Sequence, residues 1–314
     1  MKEVDIVKKN KKSRQAMVKQ IMKDKELYII LFLPIVYMVI FKYLPMAGNI
    51  LAFRKFEVGG SMFGSKWEGL RYFKLFIHDK YFWKVFSNTL ILSFLNLLLG
   101  FPIPIILALL INEVKNRVGK RVVQTITYLP KFLSTVVVVS MLQTLLSPST
   151  GAINMFLNKL GISSIYFLNE PSWFRAVYVL SDIWQFMGWN SILYLTALTN
   201  VDPQLYEAAA IDGAGRWKQT LHVTIPGILP TIVITLILST GSILSIGFEK
   251  VLLLYTSNTM DVADVISTYT YRMGIVNSQY SFTTAVGLFQ GIINLIIITL
   301  VNKTSKKLTE TSLW

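Results

Sequence analysis

Long apolar runs alternate along this chain with short polar stretches, and six of the runs have the length to cross a membrane. A helix of about 20 residues spans the hydrocarbon core. The runs cover 27–44, 85–111, 122–146, 174–198, 225–248 and 285–301. Pro34 lies inside the first, Pro102 and Pro104 inside the second, and Pro130-Lys131 interrupts the third. All six are predicted to be helices, because an open strand edge in lipid leaves its amides unpaired. Internal prolines are tolerated where neighbouring helices or water satisfy the released carbonyls. The expected fold class is an all-α polytopic membrane protein with six transmembrane helices. Its predicted parts are a basic tail at 1–25, a membrane domain at 26–308 and a short C-terminal tail at 309–314.

Orientation comes from the basic residues. With the amino terminus inside, the cytoplasmic segments carry 18 Lys and Arg: nine in the tail, four in 112–121, two at Arg216 and Lys218, and three at Lys303, Lys306 and Lys307. The external loops, 45–84, 147–173 and 249–284, carry ten, seven of them spread along the first and longest. Short loops weigh most in the positive-inside bias, so both termini and the segment 200–224 are expected in the cytoplasm. The long first loop holds Trp67, Tyr72, Phe73, Phe76, Tyr81, Phe82 and Trp83, either interfacial anchors or a surface for an external partner. The last loop holds Asp261, Asp264, Tyr269, Tyr271 and Arg272. Val262, Val265 and Ile266 stand there at helical spacing, which predicts a short external helix followed by a loop.

Composition agrees: 53% of the 314 residues are hydrophobic and 15% charged, against about 25% charged in soluble domains. A net charge of +14 would ordinarily raise nucleic acid as a partner. The clustering at Lys8, Lys9, Lys11, Lys12 and Arg14 reads instead as a tail drawn to anionic lipid. A short interfacial helix from Met17 to Lys25, with Met17, Ile21 and Met22 on one side, is predicted to follow it. There are no cysteines, and the two histidines, His78 and His222, are far apart. Gly119-Lys120 lacks the rest of a phosphate-cradling loop, and no zinc-protease or nucleophile-elbow pattern occurs. Gly213-Ala214-Gly215 follows no strand and lacks the third glycine of a dinucleotide loop. Asp182 is the only acid well inside an apolar run, so no carboxylate pair stands ready for a proton relay. No enzyme activity and no cofactor are expected on this chain.

The polar island between the fourth and fifth runs is more informative. Ala208, Ala209 and Ala210 are strong helix formers without bulk, suited to lie in a partner's groove. Gly213 and Gly215 permit the turn that ends such a helix, and Glu207 near its start suits the helix dipole. Glu207-Ala208-Ala209, three residues, Gly213, nine residues and then Val223-Thr224-Ile225-Pro226 resembles the cytoplasmic signature of ABC-importer permeases, Glu-Ala-Ala, x3, Gly, x9, Ile-x-Leu-Pro. Val223 and Ile225 replace the aliphatic positions conservatively. Leu205-Tyr206, Asp212 and Ala214-Gly215 look like the sugar-importer branch, similar to the larger permease of maltose-type systems. Gly247-Phe248-Glu249-Lys250-Val251 and the stretch 261–267 resemble a subgroup handling oligosaccharides, acidic ones included.

The resemblance covers about 27–307 and implies a type I ABC importer permease fold. It also implies a second, homologous permease, an ATPase dimer that carries ATP and Mg and docks on the island, and an extracellular substrate-binding protein. Pro226 is expected to open the fifth span. By alignment on the island, Asp182, Gln185, Phe186 and Trp189 match the register that lines the sugar site, and they also fall on one helix face at i, i+3, i+4 and i+7. Trp184 and Asn190 cluster with them, and Ser239, Thr240, Ser242 and Ser245 add hydroxyls from the fifth run. The competing reading of all these residues is interhelical packing. Lys131, about 15 Å along a helix from Arg121, calls for a partner: either the carboxylate of an acidic sugar or a structural group such as Asp182 or a helix carbonyl. A permease for another solute such as peptide, a secondary transporter and a membrane scaffold remain alternatives. A secondary transporter calls for intramembrane ion-coordinating acids or inverted repeats, and neither is evident; a scaffold leaves the island unexplained.

Overall fold

The computed structural model describes Gln20 and residues 22–314, so the basic cluster and most of the expected interfacial helix lie outside the described residues. The chain divides into two compact units at Leu70.

In the first unit a helical run, α1, spans Lys25–Phe53. It passes through Pro34, widens to a π-type turn at Val39–Tyr43 and ends in tighter 3-10 geometry at Ala47–Phe53. Beyond it the chain doubles back. Lys55 donates its amide to the Lys66 carbonyl at 2.8 Å, Arg54 and Trp67 form an isolated antiparallel bridge, and Phe53 stacks on Trp67 at 5.8 Å.

Every regular element among the described residues of the second unit is a helix. Arg71–His78 (α2) leads into Lys80–Glu113 (α3), in which Asp79 caps the start by accepting from the Tyr81 amide at 2.8 Å. Pro102 does not break α3, because it falls one residue after a helical Phe101 whose amide still reaches Leu97 at 3.1 Å. The third expected span, by contrast, is not one helix. Arg117–Tyr128 (α4) closes in a 3-10 turn at Leu129–Phe132, and Thr135–Leu145 (α5) leaves at 102° to it. Pro130 supplies no amide to continue α4, and Ser134 starts a new helix by capping the Val137 amide at 3.3 Å, as N-cap serines do. Ala152–Lys159 (α6) precedes the 29-residue Pro171–Thr199 (α7). Pro203–Ile211 (α8) and Arg216–Gly241 (α9) follow. Three short helices come next, Phe248–Leu254 (α10), Met260–Ala263 (α11) and Ile266–Tyr271 (α12), and Tyr280–Thr309 (α13) ends the unit. Among the described residues four helices are long and apolar enough to cross a membrane, α1, α3, α9 and α13, or five with the bent α4–α5 pair taken as one.

Two cores hold α7 in place. One joins Ala108, Tyr194, Leu198 and Ile228 from α3, α7 and α9 with Val201 from the turn after α7. The other gathers Leu92, Val139, Phe174, Tyr178 and Val179 with Ile246, Val251, Leu254, Ala263 and Val265. The second core corrects the expectation for 249–281. That stretch is not one external helix and a loop but three short helices that bury Val251, Leu254, Ala263, Val265 and Ile266, the last two wholly.

A polar cluster fastens this stretch to α3. The buried Asp264 carboxylate accepts from Arg272 Nη2 at 2.5 Å, Tyr81 Oη at 2.6 Å and Thr268 Oγ1 at 2.7 Å. Asn88 Nδ2 donates to the Asp261 and Asp264 carbonyls at 3.0 and 3.2 Å, and Thr89 Oγ1 accepts the Ile266 amide at 2.9 Å. Removing one member of a buried ion pair costs about 3–5 kcal/mol, because the other charge stays buried. Asp264→Ala is therefore expected to lower stability by about 3 kcal/mol, Arg272 being a quarter exposed. Thermal unfolding in detergent checks this, and an unchanged midpoint would show that the cluster holds nothing.

Candidate functional site

A cavity of about 490 Å³ lies between α3, α7 and α9. Its polar lining comes from Ser93 and Asn96 on α3, Asp182 and Asn190 on α7, Thr235 and Ser239 on α9, and Ser242 and Ser245 just beyond α9. Phe186, Tyr178 and Tyr194 add aromatic surface. The fifth apolar run therefore ends as a helix at Gly241, earlier than the expected 248. Ser242 and Ser245 sit in the turn that follows. Residues of α13 hold that turn: Gln290 Nε2 donates to the Leu244 carbonyl at 2.6 Å and to Ser245 Oγ at 3.3 Å, and Asn294 accepts the Leu244 amide at 3.4 Å. Ser93 Oγ donates to the Ile243 carbonyl from α3. A chain reversal inside a helical bundle needs such partners, since its amides and carbonyls have no helix to serve them.

The expected face of α7 divides in two. Asp182, Phe186 and Asn190, spaced four apart, line the cavity, whereas Gln185 and Trp189 face the break between α4 and α5. Gln185 is buried and donates Nε2 to the Leu133 carbonyl at 3.2 Å, so it satisfies backbone that the break released. Trp189 meets Phe132 edge to face at 5.8 Å. Trp184 is outside the cavity lining and 39% exposed. Lys131 is also outside the lining, but its ammonium stands 4.3 Å over the ring of Phe186, whose side chain forms cavity wall. Its expected structural partner, Asp182, is engaged elsewhere: Oδ1 with Lys250 Nζ at 3.2 Å, and Oδ2 with Asn96 Nδ2 at 3.0 Å. Among the described residues no carboxylate lies within ion-pair distance of Lys131. Asn96 and Gln290 were not singled out in the sequence. Lys250 was read there only as part of the Gly247–Val251 stretch, with no partner assigned, and the acid it serves lies 68 positions away.

The polar island forms the second site. Asp202 caps α8 by accepting the Gln204 amide at 2.9 Å, and the helix carries Glu207, Ala208, Ala209 and Ala210 along an outward surface with none of the four buried. It ends at Asp212 in a paired closure, Gly213 N to Ala210 O at 3.1 Å and Ala214 N to Ala209 O at 2.8 Å. That closure places its first outside residue in the left-handed region, and Gly213 has φ +74°. Gly215 then starts α9. Pro226 does not open that helix, which begins ten residues earlier at Arg216. A π-type turn at Thr220–Thr224 shifts the hydrogen-bond register just before the proline, where its missing amide would otherwise leave a gap. Tyr206 Oη donates to Thr224 Oγ1 at 3.0 Å, and Arg216 pairs with Glu113 at 3.5 Å, so α8 is tied to α9 and α9 to the end of α3. Leu205, Ile211 and Trp217 are exposed beside the alanines, giving the island an apolar outward face on rigid supports.

Comparison with known proteins agrees with this geometry. The chain is 42% identical over 311 residues, covering 99% of itself and 97% of the relative, to the polygalacturonan/rhamnogalacturonan transport system permease protein YteP of Bacillus subtilis (strain 168). It is 44% identical over 292 residues to the protein LplB of the same organism, covering 93% and 92% of the two chains. Its structure superimposes with a TM-score of 0.86, at 42% identity, on a chain from the crystal structure of a bacterial alginate ABC transporter in complex with alginate pentasaccharide-bound periplasmic protein, covering 94% of this chain and 99% of that one. Residues 100–309, which contain the island and all of the cavity lining except Ser93, Asn96 and Leu97, match the family described as binding-protein-dependent transport system inner membrane component. An outward helix braced on the membrane helices, and a polar cavity among those helices, are what a permease needs in order to be moved by one partner while admitting a solute, and this chain is a member of that ABC-permease family.

Proposed function

We propose that the chain forms half of the translocation pathway of an ATP-driven importer for an acidic, uronate-containing oligosaccharide. It crosses the membrane six times, α4–α5 and α7 included, with both termini in the cytoplasm. A second, homologous permease completes the pathway, and an extracellular binding protein delivers the cargo. A separate ATPase dimer, holding ATP and Mg, docks on α8 and the turn at Gly213. Closure of the ATPases moves α8, and α9 as the lever tied to it through Tyr206 and Thr224, between inward- and outward-facing states.

The cargo rests on Lys131. A lysine over an aromatic ring that forms cavity wall, with no carboxylate beside it among the described residues, suits a cargo that brings its own carboxylate. An ammonium at membrane depth costs a few kcal/mol unless paired, and a uronate supplies the pair. Phe186 and the tyrosines offer flat surface to the apolar face of a sugar ring, and Asn190 and the serines offer hydrogen bonds to its rim. The names of the relatives, which mention polygalacturonan, rhamnogalacturonan and alginate, support the same class.

In proteoliposomes holding the complete transporter, labelled oligouronate is expected to accumulate only with ATP. Lys131→Ala should reduce its initial uptake at least tenfold, one charge-assisted hydrogen bond being worth about 1.5–3 kcal/mol. Full uptake by the variant would sink the uronate reading.

A further inference from the structure

Asp182 is the only side chain with a formal charge among the residues described as lining the cavity. In a cavity that takes an anion, a bare carboxylate on the wall is a liability. Two unit charges of like sign about 8 Å apart, at an effective dielectric near 20, weaken binding by about thirtyfold. The protein does not leave Asp182 bare. Lys250, on the short helix α10, brings its ammonium to Oδ1 at 3.2 Å while its side chain stays 5% exposed, against 20% for Asp182. Asn96 holds Oδ2, and the ring of Tyr178 lies 5.5 Å from the same ammonium. Lys250 itself is not part of the lining. It acts from behind the wall, through Asp182.

We propose that Lys250 is a positioning residue for specificity: by holding Asp182 in a neutral pair, it lets the cavity accept uronate-bearing oligosaccharides that the acid alone would repel. The inference rests on the acidic cargo proposed above. It goes beyond that reading in assigning selectivity to a residue that touches no cargo, and in giving Asp182 the opposite sign of effect. Removal of Lys250 selects for neutral sugars, and removal of Asp182 selects for acidic ones.

The test is the affinity of the purified, assembled transporter, without its binding protein, for a trigalacturonate and for the methyl ester of the same trisaccharide, measured by calorimetric titration. The two probes differ in charge and hardly in shape. Lys250→Met is expected to weaken the acid about thirtyfold relative to the ester, and Lys250→Met combined with Asp182→Asn to return the ratio to within about threefold of wild type. Equal weakening of both probes, or a double variant that keeps the ratio of the single one, overturns the proposal and leaves Lys250 a purely structural residue. Should Lys250→Met fail to assemble, Asp182→Asn alone decides: the acid must gain on the ester by about tenfold or more, and an unchanged ratio overturns the proposal. A wild-type transporter that binds the ester and not the acid refutes the acidic cargo instead, an outcome distinct from each of these.

Discussion

Gly188→Val is expected to cost about 3 kcal/mol or more and to lower the thermal midpoint of the purified protein by roughly 5 °C. Gly188 lies on α7 where that helix crosses α4. A Cβ built on it would fall inside the contact radius of the Thr127 carbonyl carbon and oxygen, and 2.9 Å from Thr127 Cβ. These obstacles are mostly backbone, so no rotamer change relieves them and the two helices must part. Parting α4 from α7 also disturbs the Gln185 to Leu133 hydrogen bond and the Trp189–Phe132 contact, which lie next to the crossing. Thr127 cannot swing away cheaply, because its hydroxyl is bonded to the Val123 carbonyl at 2.8 Å. Gly291 on α13 is the control: nothing lies within 4 Å of its built Cβ, so Gly291→Ala should be neutral or slightly stabilising through helix propensity. A midpoint for Gly188→Val equal to that of Gly291→Ala would show that the crossing is loose.

Nothing in the sequence marks Gly188, and the reason is general to this chain. Apolarity located the helices long and apolar enough to cross a membrane, four among the described residues or five with the bent α4–α5 pair, because such a helix is apolar along most of its length. The long spacing of the island likewise gave away α8 and its turn, which depend on local residues alone. Contacts between distant segments carry no such signature. Lys250 and Asp182 belong to different helices, and each alone reads as an oddity awaiting a partner. The sequence offered Asp182 as one candidate partner for Lys131, beside a helix carbonyl and the cargo's own carboxylate, whereas the structure pairs it with Lys250. Pro130 announced an interruption, but its outcome, a 102° turn with Gln185 attending to the released carbonyl, depends on what packs around it. The stretch 249–281 misled for a related reason. Short polar spacers between apolar residues look like a surface loop until Asn88, Thr89 and Tyr81, some 170 to 190 positions away in the chain, are seen to hold its backbone and its one buried acid.

Gly213→Val is expected to abolish transport while leaving the membrane helices intact. At φ +74° an L-residue pays about 1–2 kcal/mol, and a β-branched one more. The strain falls on the two hydrogen bonds that close α8, from Gly213 to Ala210 and from Ala214 to Ala209. Relief comes by letting the last turn of α8 unwind, which displaces Ala209, Ala210 and Asp212 from the surface they present. No steric obstacle contributes, since nothing lies within 4 Å of a Cβ built at this position. Backbone conformation alone is being tested, and the thermal midpoint of the bundle should hold to within about 2 °C. The series has an internal order: Asn tolerates the left-handed region best among side chains, so uptake should fall from Gly through Asn and Ala to Val. Co-purification of the ATPase should fall in the same order. Full uptake by Gly213→Val would mean that the partner does not read the shape of this turn. Lost uptake with the ATPase still bound at wild-type level would mean that the turn transmits motion without providing the grip.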